Sequence, residues 1–562
     1  MTTDAAAGTP APGSPTAGTR RRGPSTVLVL TAGLTFLTRF ALAGKESYWL
    51  DELYAVHLYV TQPPSLRAAV ASLAETSIHP PLYQVMLYGW IALFGDTEAA
   101  TRTLSNVAVT AAVVALHRTV ARLHGGRTAD AVALLFSLSY IVTYYGLETR
   151  SYGVTLGLSA ISTYLLVRCS EPMLRPGEAA GAPPTGPGRT WAVPAPWLLA
   201  LSLVQLATLF VHYYNLFFWG AQAVFLVGFV LLHAPIRRVA EAARIVAALV
   251  AQLVVFAAVW GRVTLASFST YQGEYAVEQA VTHTPASMLD QLVQPSFRTG
   301  LPAVLLVTLA AAIAAAGWWW RRRSVARPAT DATHLDERRH AFGTAYAVTM
   351  VVGPTMLAYL AFLLLQQERF FDRYLIYVLP SVAVLLVLAV RELGLLVSER
   401  VAARRPAGDR RRFPDAATVA LVVLLPTVVP GFVDAATYTK VDWRGVAADV
   451  AAVVASQPDD EFLVYETSSR HTPVIDHYFS ALDSDVRVDA TVRRIDERNA
   501  RFPFEDDERI AAHDLLLVVF THHLTSDYPR TLARLEAAYE VEHRRVDRDG
   551  RGYIIFDVDA DG

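Results

Sequence analysis

Charge is scarce in this chain and cysteine all but absent. Only 18% of its 562 residues are Asp, Glu, Lys or Arg and 53% are hydrophobic, against a charged share of about 25% in ordinary soluble proteins. Much of the chain should therefore face lipid. The net charge of −2 gives no reason to expect nucleic acid as a partner. The single cysteine, Cys169, excludes an intrachain disulfide and any cysteine-based zinc cluster. No fixed-period repeat is found, and no Gly-rich phosphate loop of recognised form.

What the chain has instead is long apolar runs separated by arginine clusters. Residues 1–24 are rich in Ala, Pro, Gly, Thr and Ser, end in Arg20-Arg21-Arg22, and cannot bury enough apolar surface to fold; they read as a disordered cytoplasmic tail. The run 25–43 is long enough to cross a bilayer. Ala41-Leu42-Ala43 resembles a cleavage site, but the length of the run, Arg39 near its far end and the many later spans favour an uncleaved first span with the N-terminus inside. Short cytoplasmic loops collect arginine. Placing each later cluster there gives spans at 101–122, 128–146, 151–168, 196–213, 216–233, 244–262, 301–320, 342–365, 373–390 and 415–432, eleven in all, with the C-terminus outside.

Pro81–Gly95 is apolar too, but about fifteen residues are few for a crossing, and a crossing there would put Arg118 and Arg122 on the wrong face. It reads as an amphipathic helix on the outer surface, with Tyr83, Tyr88 and Trp90 at headgroup level. After Gly431 the composition changes. Helical spacing over 443–455 and 528–538, strands at 461–465 and 514–520, and a hairpin of 540–546 with 552–558 predict a small α/β domain. The fold class is a mostly α, polytopic membrane protein: a membrane module over 25–432, whose first outer loop 44–100 carries juxtamembrane helices, followed by an extracytoplasmic α/β domain over 433–562.

Ionisable groups near a bilayer are costly, so their positions carry information. The outward tips hold Asp51, Glu52 and His79; Tyr144, Tyr145, Glu148, Arg150 and Tyr152; His212, Tyr213, Tyr214 and Asn215; and Gln366, Gln367, Glu368, Arg369, Asp372 and Arg373. Loop tips are wet, and an Asp-Glu pair after a span is, on spacing alone, more often an ordinary solvated loop. That reading explains less well why acids, cations and aromatics recur at four successive tips. Arginine matches phosphate oxygens with paired donors, and a carboxylate can take the proton of an attacking hydroxyl. Such a site suits a substrate with a phosphate and a lipid tail.

The pattern Trp49-Leu50-Asp51-Glu52, then His79-Pro80-Pro81-Leu82-Tyr83, then Leu93-Phe94-Gly95-Asp96 with Glu98 and Arg102, then Leu147-Glu148-Thr149-Arg150-Ser151-Tyr152, resembles the GT-C superfamily of membrane glycosyltransferases. The nearest likeness is to the branch of protein O-mannosyltransferases, lipid A aminoarabinose transferases and RgtA/B/C/D-like enzymes. His212-Tyr213-Tyr214, Arg373-Tyr374-Leu375 with Pro380, and Asp442-Trp443-Arg444 add to it. The resemblance implies a GT-C type fold and an inverting transfer of a hexosyl or pentosyl group. The sugar would pass from a polyprenyl-phosphate donor to a hydroxyl of a lipid, glycan or protein acceptor, at the outer face of the bilayer. It implies two catalytic acids, Asp51 as base and Glu52 beside it to orient or support it. Carrier and sugar contacts would come from His79, Tyr83, Tyr145, Glu148, Arg150, His212, Tyr213, Glu368, Arg369 and Arg373. No cofactor is required by the pattern, and a divalent metal stays open. Two rival classes remain: a transporter or flippase of lipid-linked substrates, which would want charge near the midplane where this chain offers single Gln205, Gln222 and Gln252; and a non-catalytic scaffold, which would tolerate loss of Asp51 and Glu148.

Overall fold

A bilayer offers backbone N–H and C=O groups no water, so long apolar runs close them internally as helices. The computed structural model describes residues 25–76, 79–174, 192–234, 238–274, 284–324, 331–365, 372–404 and 414–456, and then 462–466, 477–478, 488–489, 510, 514–520, 533, 535–546 and 552–558. The tail 1–24, Glu368, Arg369 and most of the helix expected at 528–538 lie outside the described residues.

Helix α1 (Thr26–Ala43) leads into a loop carrying α2 (Leu50–Leu53), which continues in the wider turns of Tyr54–Thr61, then α3 (Leu66–Thr76) and α4 (Leu82–Phe94). There follow α5 (Glu98–His124), α6 (Gly126–Ser137), α7 (Tyr140–Gly146), α8 (Ser151–Leu174), α9 (Ala195–Val211) and α10 (Asn215–His233). The bundle is completed by α11 (Arg238–Glu274), α12 (Pro285–Ser296), α13 (Ala303–Ser324), α14 (Asp331–Leu365), a 3-10 turn over Asp372–Val378, α15 (Leu379–Ala403) and α16 (Ala416–Thr437).

Among the described residues nine of these helices are long and apolar enough to cross a membrane: α1, α5, α8, α10, α11, α13, α14, α15 and α16. The other two of the eleven expected spans differ. The one at 128–146 is a broken pair, α6 and α7, bent by 61°, and α9 is a shorter apolar helix of 17 residues. The break falls at Leu138-Ser139, without Pro or Gly. Its cause is tertiary: the Ser139 hydroxyl donates to the Phe136 carbonyl, and buried Arg39 of α1 donates to the Ser137 carbonyl and to Thr143 Oγ1. Carbonyls released by the bend thus keep a partner. The short helix α12 was not foreseen; it is capped by Thr284 and buries Met288, Leu292 and Val293.

Two glycines one turn apart, Gly153 and Gly157, let α8 meet α5 closely. A Cβ at Gly157 would stand 2.7 Å from the Ala108 carbonyl oxygen, and one at Gly153 would stand 2.9 Å from Ser105 Cβ. Small residues at this spacing allow membrane helices to pack backbone to backbone. Helix α15 is the centre of the bundle, 83% buried over its apolar stretch, whereas α1 and α11 bury only 28% and 22% and expose Leu30, Leu34, Val254 and Val259. Helix α4 lies in the loop as expected, but Tyr83 is not at headgroup level. It is buried to 1% exposure inside the packing of the loop.

The C-terminal region starts with α17 (Trp443–Ser456), followed by β1 (Phe462–Glu466), β2 (Val488–Asp489), β3 (Leu515–Phe520), β4 (Glu540–Val546) and β5 (Gly552–Asp557) in one sheet of order β2-β1-β3-β5-β4. The β1 contacts to β2 and β3 are parallel and the last two pairings are antiparallel. Alternation sorts the apolar run of β3 onto both faces. Leu516 and Val518 join Ile554 and Phe556 on one side. Leu515, Leu517 and Val519 join α17 on the other, in a cluster that continues into Tyr48, Leu53, Val56 and Leu87 of the first loop. The sheet and the loop therefore share a core, and sharing it fixes the loop.

Candidate functional site

Asp51 and Glu52 are neighbours on one turn of α2, yet the structure gives them opposite surroundings. Glu52 is fully buried. Its Oε1 accepts from Arg102 Nε at 2.8 Å and from the Thr149 N–H at 2.7 Å; its Oε2 accepts from Arg102 Nη2 at 2.7 Å, Lys440 Nζ at 2.9 Å and the Trp49 N–H at 3.2 Å. Burial would raise the pKa of such a carboxyl, but Arg102, Lys440 and these donors outweigh it and hold Glu52 well below the usual carboxylate range. Arg102 spends its other donors on the carbonyls of Ala43, Glu46 and Ser47. Glu52, placed beside the base by the sequence pattern, is thus a clasp joining the first loop, α5, the α7–α8 turn and the C-terminal region. With both oxygens committed, it has no lone pair free for a substrate.

Asp51 faces the other way. Its Oδ2 lies 3.6 Å from Arg150 Nη2 and 4.0 Å from Arg373 Nη2, and its side chain keeps 27% exposure. Arg150 also donates to the Asp51 carbonyl at 3.0 Å. The two guanidinium groups flank the Tyr152 ring, at 5.9 and 5.6 Å from its centroid. Two fixed cations and a carboxylate beside an aromatic face are the parts needed to hold a phosphate and to accept a proton.

The tips of α8, α9 and the 3-10 turn close the site. His79 and His212 stand with ring centroids 5.1 Å apart, and His212 packs on Tyr152 and Tyr374. Burial, with Arg150 and Arg373 close by, pushes His212 down to about 3. Burial, His212 and the same arginines hold His79 well below its usual value. The same causes favour the neutral form of both imidazoles. Tyr145 is buried edge-on to Tyr144 and Tyr152. Tyr213 turns toward α11, where its hydroxyl accepts from Trp260 Nε1 at 3.1 Å and Thr264 Oγ1 at 3.4 Å, while its neighbour Tyr214 stacks on Tyr374 at 4.0 Å. The extended backbone at His212 and the start of α10 at Asn215 decide which of the two tyrosines faces inward.

Glu148 is 1% exposed, with Lys440 Nζ 3.8 Å from its Oε1. Burial, Glu52 and incomplete compensation by Lys440 push it up to about 7. Sequence reasoning passed over Lys440. A signal existed: the chain has two lysines among 49 basic residues, Lys45 and Lys440, and both flank this site. The carboxylates do not suit a divalent metal as arranged, because Asp51 faces two arginines, Glu52 is saturated by donors and Glu148 faces Lys440. Among the described residues no group of three His, Cys, Asp or Glu is placed to hold one.

Residues 78–174, from the end of the first loop to the end of α8, match the family described as dolichyl-phosphate-mannose-protein mannosyltransferase. No curated protein sequence matches the chain. Among solved structures, ArnT from Cupriavidus metallidurans in the apo state aligns over 94% of this chain and 97% of its own, at 12% identity and a TM-score of 0.51. The chain has the GT-C fold. The same ArnT bound to undecaprenyl phosphate aligns over 96% and 99% at 13% identity and a TM-score of 0.48, and the Archaeoglobus fulgidus oligosaccharyltransferase in the apo form over 78% and 62% at 10% and 0.41. In this GT-C fold the family match covers His79, Glu148 and Arg150 but stops short of Asp51 on one side and of His212 and Arg373 on the other.

Proposed function

We propose that the chain is a multi-pass membrane glycosyltransferase that moves a sugar from a polyprenyl-phosphate donor to an acceptor hydroxyl at the outer face of the bilayer, with inversion. The observation that carries it is Asp51 facing Arg150 and Arg373 beside Tyr152. The family matched by residues 78–174 is described by a polyprenyl-phosphate sugar, dolichyl-phosphate-mannose, which agrees with that arrangement. The arginine fringe on the far ends of the helices supports the orientation.

Without donor, the Asp51 carboxylate occupies the place a phosphate would take between the two guanidinium groups. The donor phosphodiester carries one negative charge, as Asp51 does, but its two non-bridging oxygens can pair with both guanidinium groups at once, so it displaces Asp51 and frees the carboxylate. The released Asp51 accepts the proton of the acceptor hydroxyl as that oxygen bonds to the anomeric carbon. The bond from that carbon to the phosphate oxygen breaks, and polyprenyl phosphate leaves with the electron pair. Arg150 and Arg373 stabilise the charge growing on it in a setting of low dielectric. Neutral His79 and His212 and the tyrosines shape the site and keep water out.

The test is to incubate purified protein in lipid with a panel of radiolabelled polyprenyl-phosphate sugars and membrane extract. Label moving from one donor into an extractable acceptor, with polyprenyl phosphate released, is expected. Failure of every donor in the panel, with the protein folded and polyprenyl phosphate unbound, would overturn the reading.

A further inference from the structure

Helices α16 and α17 are joined by a short strap, Tyr438 to Asp442, that runs past Glu52 and Glu148. The strap is firmly seated. The Lys440 N–H donates to Glu46 Oε2 at 3.1 Å, the Arg444 N–H to Ser47 Oγ at 3.1 Å, and Arg444 Nη2 to the carbonyls of Gly44 and Lys45. Tyr478, further along, donates to Glu98 at 2.9 Å and accepts from the Tyr48 N–H at 2.7 Å. The docked C-terminal region thereby inserts one ammonium group, 8% exposed, between two buried carboxylates.

Those carboxylates need it unequally. Glu52 already receives both forks of Arg102 and two backbone N–H groups. Glu148 has much less: neither carboxylate oxygen makes a hydrogen bond of ordinary geometry among the described residues. The charged and titratable groups that bear on it are Lys440 from the strap, Glu52 from α2, Tyr144 from α7 and Arg150 from its own turn, with Tyr83 of α4 also in range. Of the two cations, Lys440 acts on it more strongly, since Arg150 is turned toward Asp51.

We propose that Lys440 is a positioning residue whose ammonium, brought in by the seated strap, sets the ionisation of Glu148 and with it the charge beside Arg150. The sequence places Glu148 two residues before Arg150, so its charge bears on how strongly that arginine attracts a phosphate. With Lys440 in place Glu148 is balanced between its two forms; with that ammonium removed and the site otherwise closed, burial favours the neutral form. The inference rests on the transferase reading for its purpose, whereas its test uses no sugar donor, so either can fail alone.

The test is infrared difference spectroscopy of the full-length protein in lipid, following the carbonyl band of a protonated carboxyl as pH is raised. Wild type should show a band that disappears with a midpoint near 7 and that is missing in Glu148→Gln. In Lys440→Met the band should persist to higher pH, with the midpoint raised by about 1 to 3 pH units, the range a neighbouring charge produces. Lys440→Arg should restore the wild-type midpoint, and Lys440→Gln serves as the neutral variant if Lys440→Met is not folded. A structural role alone would lower stability in the neutral variants and leave the midpoint where it was. Equal midpoints in wild type and the folded neutral variant, or no Glu148-dependent band in wild type, would overturn the proposal.

Discussion

Replacing Glu52 by Gln changes one atom and should unfold the protein more readily than any change at Asp51. Glu52 Oε1 accepts from two donors and Oε2 from three. A glutamine must present its NH2 to one of those sets, donor against donor, while Arg102 loses its carboxylate partner and Lys440 keeps only Glu148, 3.8 Å away, in a buried site. Removing one partner of a buried pair costs about 3–5 kcal/mol, a large part of the roughly 5–15 kcal/mol that holds an ordinary domain together. The same clasp predicts the acid side. Because the folded pKa of Glu52 is depressed, its stabilisation is present above the unfolded carboxylate range and is lost only as pH falls through the lower folded value. The assay is the fraction of detergent-solubilised protein that stays monodisperse after heating, for wild type, Glu52→Gln and Asp51→Asn. Glu52→Gln should fail at clearly lower temperature, and Asp51→Asn should match wild type. Glu52→Gln as heat-resistant as wild type would refute the clasp.

Arg150→Met and Arg373→Met should each weaken binding of a polyprenyl phosphate by about tenfold or more, from the loss of a charge-assisted bond worth about 1.5–3 kcal/mol; equilibrium binding of a labelled carrier checks this, and unchanged affinity would remove them from the phosphate site. Glu148 has a folded pKa raised from 4.5 to about 7, so it favours the folded state in its protonated form. Wild-type stability should therefore decline as pH rises across that window, and Glu148→Gln should abolish the decline in heat-stability measurements made along a pH series. Gly157→Ala drives a Cβ into the Ala108 carbonyl and should cost about 1–3 kcal/mol by overpacking. Gly89→Ala meets nothing within 4 Å and should leave thermal stability unchanged by comparison.

Nine spans are legible because lipid demands about 20 apolar residues per helix, a constraint that acts along the chain and needs no tertiary knowledge. The break at Leu138-Ser139 is not legible, since no local breaker stands there and its carbonyl is held by Arg39 from another helix. Asp51 and Glu52 read alike as an acidic pair; only the helical turn, which points one at Arg150 and the other at Arg102, separates a partly exposed carboxylate from a buried clasp. Tyr213 and Tyr214 are likewise equal in sequence and unequal in space. Lys440 lies where composition changes from apolar to mixed, a place that reads as a linker. Its partners, Glu52 and Glu148, are 388 and 292 positions away, and no periodic pattern connects residues at that range.

The most direct test compares purified wild type with Asp51→Asn in sugar transfer from the active polyprenyl-phosphate donor, with carrier binding measured on the same samples. The arrangement of Asp51 against Arg150 and Arg373 predicts transfer reduced by about 10² to 10⁴-fold, the usual worth of a general base, with the carrier still bound. Transfer at the wild-type rate by Asp51→Asn would contradict it.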